Sequence, residues 1–236
     1  MEQPFTLVFA LFPGLTHLDF TGPHQILCRL PNAHVILASE AGGEIEAEAG
    51  LVFARTTPLR EVERCDLLCV PGGFSASQAA LREGFTGEIR RLARTARYIT
   101  SVCNGSLILG AAGLLAGKRA ACHWHWRHLL SEFGAIPDAA RVVRDGNLIT
   151  GGGVTAGIDF ALTVAAEVAG ADYAQALQLG FEYAPEPPFN AGRPDLARPE
   201  ILAAVNQRMA KALERGTREV KLAAERAGSL KVAEGA

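Results

Sequence analysis

The segment YITSVCNGSLILGAAGLL, residues 98–115, decides the fold. It begins with a short β-branched run, turns at Cys103 and continues as a glycine-punctuated apolar helix. A strand that leads directly into a helix is the repeating unit of α/β proteins with a parallel sheet. A glycine, serine or asparagine would serve such a turn without adding a strong nucleophile. The segment therefore predicts a strand, turn and helix, and it raises the question of why a thiol lies at the turn.

Other runs of strand length surround this unit. FTLVFALF (Phe5–Phe12) and AHVILAS (Ala33–Ser39) flank a broken helical pattern, while CDLLCVPGG (Cys65–Gly73) and RYITSV (Arg97–Val102) flank a polar-faced helix over residues 76–96. The runs are continuously apolar, which is typical of parallel strands covered on both faces. We therefore expect an α/β fold with a doubly wound, mainly parallel sheet and helices on both faces.

Two hairpins are predicted beside these units. Residues 40–59 carry Gly-Gly and Ala-Gly turns, which indicate a hairpin at the sheet edge, and RVVRDGNLIT (Arg141–Thr150) contains Asp145-Gly146 as a favoured two-residue turn. A charged helix is expected from about Pro199 onwards, after a proline-rich stretch. We expect one domain over residues 1–195 and a helical extension over 196–236 that packs on the same domain or on a dimer partner.

Composition narrows the range of functions. The 236 residues are 49% hydrophobic, and 23 basic and 25 acidic side chains give a net charge of −2. No basic stripe or polybasic tail is present, so a nucleic-acid partner is not expected. The apolar run at Phe5–Phe12 is too short for a membrane span, and no signal-peptide pattern precedes it. With five cysteines, an odd number that suits free thiols, we expect a cytoplasmic protein without a membrane partner.

The candidate catalytic residues follow predicted strands, because ligands of open α/β sheets lie beyond the carboxyl ends of the strands. Cys103 would lie at a helix N-terminus, which predicts a lowered thiol pKa and a nucleophilic thiolate, although a buried cysteine can also be simple packing. The backbone N–H groups of Gly72, Gly73 and Asn104 could stabilise a developing negative charge, although Pro-Gly-Gly can equally be an ordinary turn. Asp19 is either a carboxylate at the mouth of the first strand or, on the residues alone, more simply a helix cap.

His123 follows the predicted strand RAAC (Arg119–Cys122) and could approach Cys103 as a base or hydrogen-bond partner. The histidines of CHWHWRH (Cys122–His128) do not complete a metal-binding pattern. Neither a dinucleotide-binding glycine motif nor a Walker loop is present. We therefore expect neither a metal nor a cofactor.

The assembled motifs resemble the ThiJ/PfpI superfamily and, within it, the isonitrile hydratases. The resemblance is carried by LDFTGP (Leu18–Pro23), PGG (Pro71–Gly73), TSVCNGSLILGAAGLLAG (Thr100–Gly117), VVRDGNLITGGGVTAGIDFAL (Val142–Leu162) and EYAPEPPFNAG (Glu182–Gly192). It implies a flavodoxin-like fold of the class I glutamine amidotransferase type, with a cysteine on a nucleophile elbow. It also implies a homodimer with the active site near the subunit interface.

The resemblance further implies a reaction. Cys103 would attack the terminal carbon of an isonitrile to give a thioimidate, and Asp19 would hydrogen-bond the sulfur and handle protons in place of capping a helix. Water would then release an N-substituted formamide. Asn104 departs from the threonine or histidine expected after the cysteine. The alternatives are a redox-sensing or chaperone role, a glyoxalase-like activity, or an amidase or peptidase.

Overall fold

The computed structural model describes residues 4–234, with side chains to residue 229. Its main sheet consists of eight strands: β1 (Phe5–Leu11), β2 (Ala33–Ser39), β3 (Gly43–Glu46), β4 (Val52–Pro58), β5 (Leu67–Val70), β6 (Tyr98–Ser101), β9 (Val142–Asp145) and β10 (Leu148–Gly151). They lie in the order β3-β4-β2-β1-β5-β6-β10-β9. The strands from β4 to β10 in this order run parallel, and β3 and β9 pair antiparallel at the two edges.

Seven helices cover both faces of this sheet within the described residues. One layer holds the first, fifth and sixth helices, and the other holds the remaining four. Fully buried Phe9, Phe12, Phe85 and Phe160 lie in the core. The predicted doubly wound, mainly parallel sheet is confirmed. The helices are α1 (His17–Leu27), α2 (Ala76–Ala79), α3 (Glu83–Ala93), α4 (Gly105–Ala111), α5 (Ala156–Ala169), α6 (Ala171–Gly180) and α7 (Pro199–Glu234).

Two local predictions were wrong. The single helix expected over 76–96 is divided into α2 and α3, because Arg82 adopts an extended backbone conformation and pairs with Glu40 at 2.5 Å. In the second hairpin Asp145 pairs with Leu148, so the two turn residues are not Asp145 and Gly146 but the next pair, 146 and 147. Asp145 remains in the strand.

The strand that precedes His123 lies outside the main sheet. It is β7 (Arg119–Ala121), and it pairs with β8 (Ile136–Asp138) in a separate two-stranded sheet. It still lies beside β10, because the Ala121 N–H donates to the Thr150 hydroxyl at 2.7 Å. His123 therefore approaches the carboxyl end of the main sheet from a neighbouring layer.

Candidate active site

Cys103 lies at a sharp bend between β6 and α4. Its φ of 58° is in the left-handed region, which is uncommon for a non-glycine residue and marks backbone strain. The Cys103 N–H donates to the carbonyls of Gly151 (3.1 Å) and Gly152 (2.8 Å), which tie the bend to the end of β10. A Cβ at Gly105 would lie 2.6 Å from the Pro71 carbonyl, so only glycine permits the close approach of α4 to the end of β5. These contacts hold the cysteine at the carboxyl end of the sheet.

Asp19 approaches the same point from α1. It is completely buried, and its Oδ2 accepts the Gly72 N–H at 3.1 Å. Its other oxygen, Oδ1, has no hydrogen-bond partner among the described residues. The N-cap of α1 is Thr16, and the Asp19 side chain points away from the helix backbone toward Gly72. The capping interpretation is therefore not what the structure shows.

The protonation of Asp19 and Cys103 is linked. Burial, with a smaller effect of the Glu48 charge, raises the pKa of Asp19 to about 7, although the Cys103 side chain and the Gly72 N–H partly offset the rise. Burial and the negative charge of Asp19 raise the pKa of the Cys103 thiol well above its ordinary value. The N–H groups of Val154 and Asn104 act in the opposite direction. The prediction of a lowered thiol pKa was wrong, since burial outweighs the helix N-terminus.

The Pro-Gly-Gly segment holds the two acidic groups in place. The Gly73 N–H donates to Asn104 Oδ1 at 2.7 Å, and Asn104 Nδ2 donates to the Gly73 carbonyl at 3.0 Å. The Gly72 carbonyl accepts the Thr16 N–H at 2.9 Å. The N–H groups of Gly72 and Gly73 are therefore already occupied by Asp19 and Asn104. The backbone donors near the sulfur are instead those of Asn104 and Val154.

His123 lies against the turn that follows β10. A Cβ at Gly153 would lie 2.8 Å from the His123 ring. Its Nδ1 accepts the N–H of His125 at 3.3 Å, and burial lowers the pKa of His123 to about 4. The imidazole is therefore neutral near pH 7. Its hydrogen bond is with His125 and not, among the described residues, with Cys103.

A cavity of about 550 Å³ opens beside this turn. Cys103 itself is 5% exposed, and it contacts Gly152 and Val154, which form part of the cavity wall. Sequence reasoning missed Val154 and the arginines of the wall, and only the glycine triplet at 151–153 hinted that the chain approaches the cysteine there. The other lining residues are Cys122, His123, Trp124, Arg127, Ala139, Ala140, Arg141, Gly153, Thr155, Ala156, Gly192, Arg193, Pro194 and Asp195.

No group of three or more His, Cys, Asp or Glu side chains between residues 4 and 229 is placed to hold a metal ion. In the same part of the chain, no helix is both long enough and apolar enough to cross a bilayer. All five cysteines are free thiols.

The fold and the cysteine bend define a class of protein. Residues 6–167 match the DJ-1/PfpI family, and the chain belongs to that family. It is 48% identical over 216 residues to the isonitrile hydratase of Pseudomonas putida, which covers 92% of this chain and 95% of the relative. The structure superposes on a ThiJ/PfpI family protein from Pseudomonas syringae with a TM-score of 0.89 and 38% identity, over 94% of this chain and 91% of that one. A DJ-1 superfamily protein from Salmonella typhimurium gives a TM-score of 0.68 at 26% identity, over 77% and 99% of the two chains.

Proposed function

We propose that this protein is a cofactor-independent isonitrile hydratase in which Cys103 is the nucleophile and Asp19 the proton carrier. The reaction is R–N≡C + H₂O → R–NH–CHO. The substrate class comes from the Pseudomonas putida relative, which matches 92% of this chain. The observation that carries the proposal is the Asp19 carboxyl, which is buried beside Cys103 with one unpartnered oxygen and a pKa raised to about 7.

The first half of the reaction forms a carbon–sulfur bond. Because the thiol pKa is high, Cys103 begins as a thiol. The reacting form of Asp19 is the carboxylate, which predominates above about pH 7. Asp19 Oδ1 takes the thiol proton while the sulfur attacks the terminal carbon of the isonitrile. Asp19 then gives this proton to the same carbon, which completes the thioimidate R–N=CH–S. A pKa near neutrality suits a group that must both accept and donate a proton at pH 7.

The second half of the reaction consumes water. Asp19, again a carboxylate, takes a proton from the water as its oxygen bonds to the thioimidate carbon, and passes that proton to the nitrogen. The carbon–sulfur bond of the resulting adduct then breaks, and the hydroxyl proton returns to the sulfur through Asp19. The products are the formamide R–NH–CHO and the original thiol. The N–H groups of Asn104 and Val154 stabilise the negative charge on the departing sulfur.

Gly72, Gly73 and the Asn104 side chain are positioning residues in this proposal. The Gly72 N–H orients the Asp19 carboxyl, and Asn104 holds Gly73 beside it. His123, with its low pKa, contributes a neutral cavity wall and takes no proton from Cys103 near pH 7.

Particular observations weigh against the alternatives. Oxidation of a redox sensor proceeds through the thiolate, and the raised pKa of Cys103 disfavours that form. A peptidase of the Cys-His type would need a histidine after the cysteine, but that residue is Asn104, whose side chain is committed to Gly73. These observations favour a carboxyl-assisted addition to a small electrophile.

The test is a turnover assay with an aryl isonitrile, in which formamide is quantified by chromatography for the wild type, Cys103→Ala, Asp19→Asn and Cys28→Ala. Cys28 is a second free thiol, located where α1 ends, and it serves as the matched control. We expect no turnover for Cys103→Ala, a loss of about 10²-fold or more for Asp19→Asn, and wild-type rates for Cys28→Ala. Formamide production that survives in Cys103→Ala would overturn the proposal. Consumption of methylglyoxal without any formamide would favour the glyoxalase-like alternative.

We also propose that the protein acts in the cytoplasm as a homodimer. Free thiols suit a reducing compartment. Leu179 and Phe189 are 82% and 80% exposed, and apolar side chains so exposed suit contact with a second copy. Sedimentation of the wild type should give the mass of a dimer, and cell fractionation should recover the protein with cytoplasmic markers. The mass of a monomer at micromolar concentration would contradict the homodimer. Recovery with the markers of another compartment would contradict the cytoplasmic location.

We further propose that residues 196–236 are an extension of the domain formed by residues 1–195. The support lies in α7, which buries Val220 and Ala223 and joins α2 through a hydrogen bond from the Ser77 hydroxyl to Glu219 at 2.6 Å. In this arrangement the extension stabilises the layer that contains α4, the helix that begins at Gly105, two residues after Cys103.

A further inference from the structure

The wall of the cavity beside the cysteine bend carries more positive than negative charge. Arg141 forms an ion pair with Asp159, and Arg193 pairs with Asp195 at 2.8 Å. The positive charges of these two arginines are therefore neutralised within the wall or directly behind it. Arg127 lines the same cavity and forms no ion pair with a carboxylate among residues 4–229.

The other described groups near Arg127 do not neutralise its positive charge. Arg127 lowers the pKa of the Asp138 carboxyl through its charge, but this carboxylate is already engaged by the Arg119 guanidinium at 2.6 and 3.1 Å. His123 is neutral near pH 7, because its pKa is about 4. The cavity wall therefore carries a net charge of about +1 that is located at Arg127.

One part of the cavity wall adjoins the cysteine bend. Gly152 and Val154 line the cavity and also contact Cys103, because the Gly152 carbonyl accepts the Cys103 N–H at 2.8 Å and the Val154 N–H approaches the sulfur. Arg127 lies four residues beyond His123, at the start of a 3-10 turn (Arg127–Phe133). Trp124, Ala140 and Ala156 add an apolar surface to the wall. A volume of about 550 Å³ accommodates a small substrate that has an apolar body and a polar group in addition to the isonitrile.

We propose that the preferred substrates are isonitriles that carry a carboxylate, which Arg127 binds while the terminal carbon faces Cys103. This inference rests on the proposed function. A guanidinium can bind a carboxylate through two parallel hydrogen bonds, and Arg127 has no competing protein carboxylate among the described residues. Because the carboxylate takes no part in the bond changes at the terminal carbon, its binding should act mainly on KM.

The experiment compares two aryl isonitriles of the same skeleton, one with a para carboxylate and one with the corresponding methyl ester. Formamide formation is measured for the wild type, Arg127→Met, Arg127→Lys and Arg208→Met. Arg208 is an exposed arginine of α7 that does not line the cavity, so its replacement controls for the change in overall charge. Circular dichroism and the thermal midpoint of each variant establish that it is folded.

We expect the wild type to prefer the carboxylate over the ester by about ten- to a hundredfold in kcat/KM, as is typical of a hydrogen-bonded charge pair. Arg127→Met should remove this preference through a higher KM for the carboxylate, with a smaller change for the ester, which offers the guanidinium no negative charge. Arg127→Lys should restore part of the preference, and Arg208→Met should behave as the wild type.

The outcomes separate this inference from the proposed function. Equal turnover of both compounds by the wild type, or an unchanged preference in Arg127→Met, would overturn the carboxylate specificity and leave the hydratase proposal intact. If a destabilised Arg127→Met gave no rate, a reduced carboxylate preference in a folded Arg127→Lys would still support the inference, and the full wild-type preference there would contradict it. The absence of formamide from both compounds with the wild type would overturn both proposals.

Discussion

Asn104 holds Gly73 through both polar groups of its side chain. Its Oδ1 accepts the Gly73 N–H at 2.7 Å, and its Nδ2 donates to the Gly73 carbonyl at 3.0 Å. Asn104 is 3% exposed, so these hydrogen bonds are formed away from water. The residue after the nucleophile thus fixes the loop whose preceding residue, Gly72, orients Asp19.

Replacement of Asn104 by alanine should therefore weaken both stability and catalysis. The change leaves the Gly73 N–H and carbonyl without their partner, which should lower the free energy of unfolding by about 2 to 4 kcal/mol. We expect kcat to fall as well, because the Asp19 carboxyl loses its fixed orientation. Urea unfolding and the formamide assay measure the two effects. Asn206→Ala, at an exposed asparagine of α7, should change stability by less than about 0.5 kcal/mol, and an equally small effect at Asn104 would refute this role.

Gly72 should tolerate no side chain. A Cβ there would lie 2.8 Å from both Asp19 Oδ2 and the Asn104 backbone nitrogen. We expect Gly72→Ala to lower the free energy of unfolding by about 1 to 3 kcal/mol and to reduce kcat by at least about tenfold through displacement of Asp19. Gly180→Ala is the control, since nothing lies within 4 Å of a Cβ at that position of α6. Wild-type kcat in Gly72→Ala would show that the Asp19 position does not depend on this contact.

The sequence predicted the placement of Cys103 well because the information is local. A β-branched run, a turn and a glycine-punctuated helix are adjacent in the chain, and the structure has β6, the bend and α4 in that order. Asp19 and Gly72 are distant in sequence, but both follow parallel strands, whose carboxyl ends meet at one edge of the sheet. Topology alone was therefore enough to bring them together in the prediction.

The chemistry of the thiol could not be predicted in the same way. The local pattern indicated a helix N-terminus, but the Cys103 pKa depends on burial and on Asp19, which tertiary packing determines. Val154 was missed because its N–H approaches the sulfur only after β10 pairs with β6. Likewise, no sequence pattern singles out Arg127, because its importance depends on which other arginines find acidic partners in the folded chain.

The contact between α2 and α7 should contribute measurably to stability. The Ser77 hydroxyl donates to Glu219 at 2.6 Å, and the Glu219 side chain is only 18% exposed. We expect Glu219→Ala to lower the free energy of unfolding by about 1 to 3 kcal/mol, because the buried hydroxyl loses its charged partner. Glu214→Ala is the matched control, since Glu214 is 70% exposed in its pair with Arg218 and should change stability by about 0 to 1 kcal/mol. Equal effects in the two variants would contradict the anchoring of α7 through Ser77.

The rate of formamide formation should increase with pH through the pKa of Asp19. In the proposed mechanism the carboxylate must take the thiol proton, and this form predominates only above about pH 7. Since the pKa of His123 is about 4 and that of Cys103 lies well above its ordinary value, Asp19 should dominate the profile between about pH 5.5 and 8.5. We expect kcat/KM to fall about tenfold per pH unit below the midpoint. A flat profile for the wild type would exclude Asp19 as the base.

The same carboxyl should make stability depend on pH. The pKa of Asp19 is raised from 3.8 to about 7 in the folded chain, so between these values the folded state binds more protons than the unfolded state. The stability that protonated Asp19 contributes is fully present below pH 3.8 and is lost as the pH rises through about 7.

Because an asparagine side chain cannot ionise, Asp19→Asn should gain stability relative to the wild type as the pH rises from about 4.5 to 8, by at most about 4 kcal/mol. Urea unfolding at pH 4.5 and at pH 8 tests this, and Asp172→Asn controls for the removal of an exposed carboxylate. If the difference between Asp19→Asn and the wild type is the same at both, the Asp19 carboxyl is ionised throughout this range and is not the shared proton carrier that the mechanism requires.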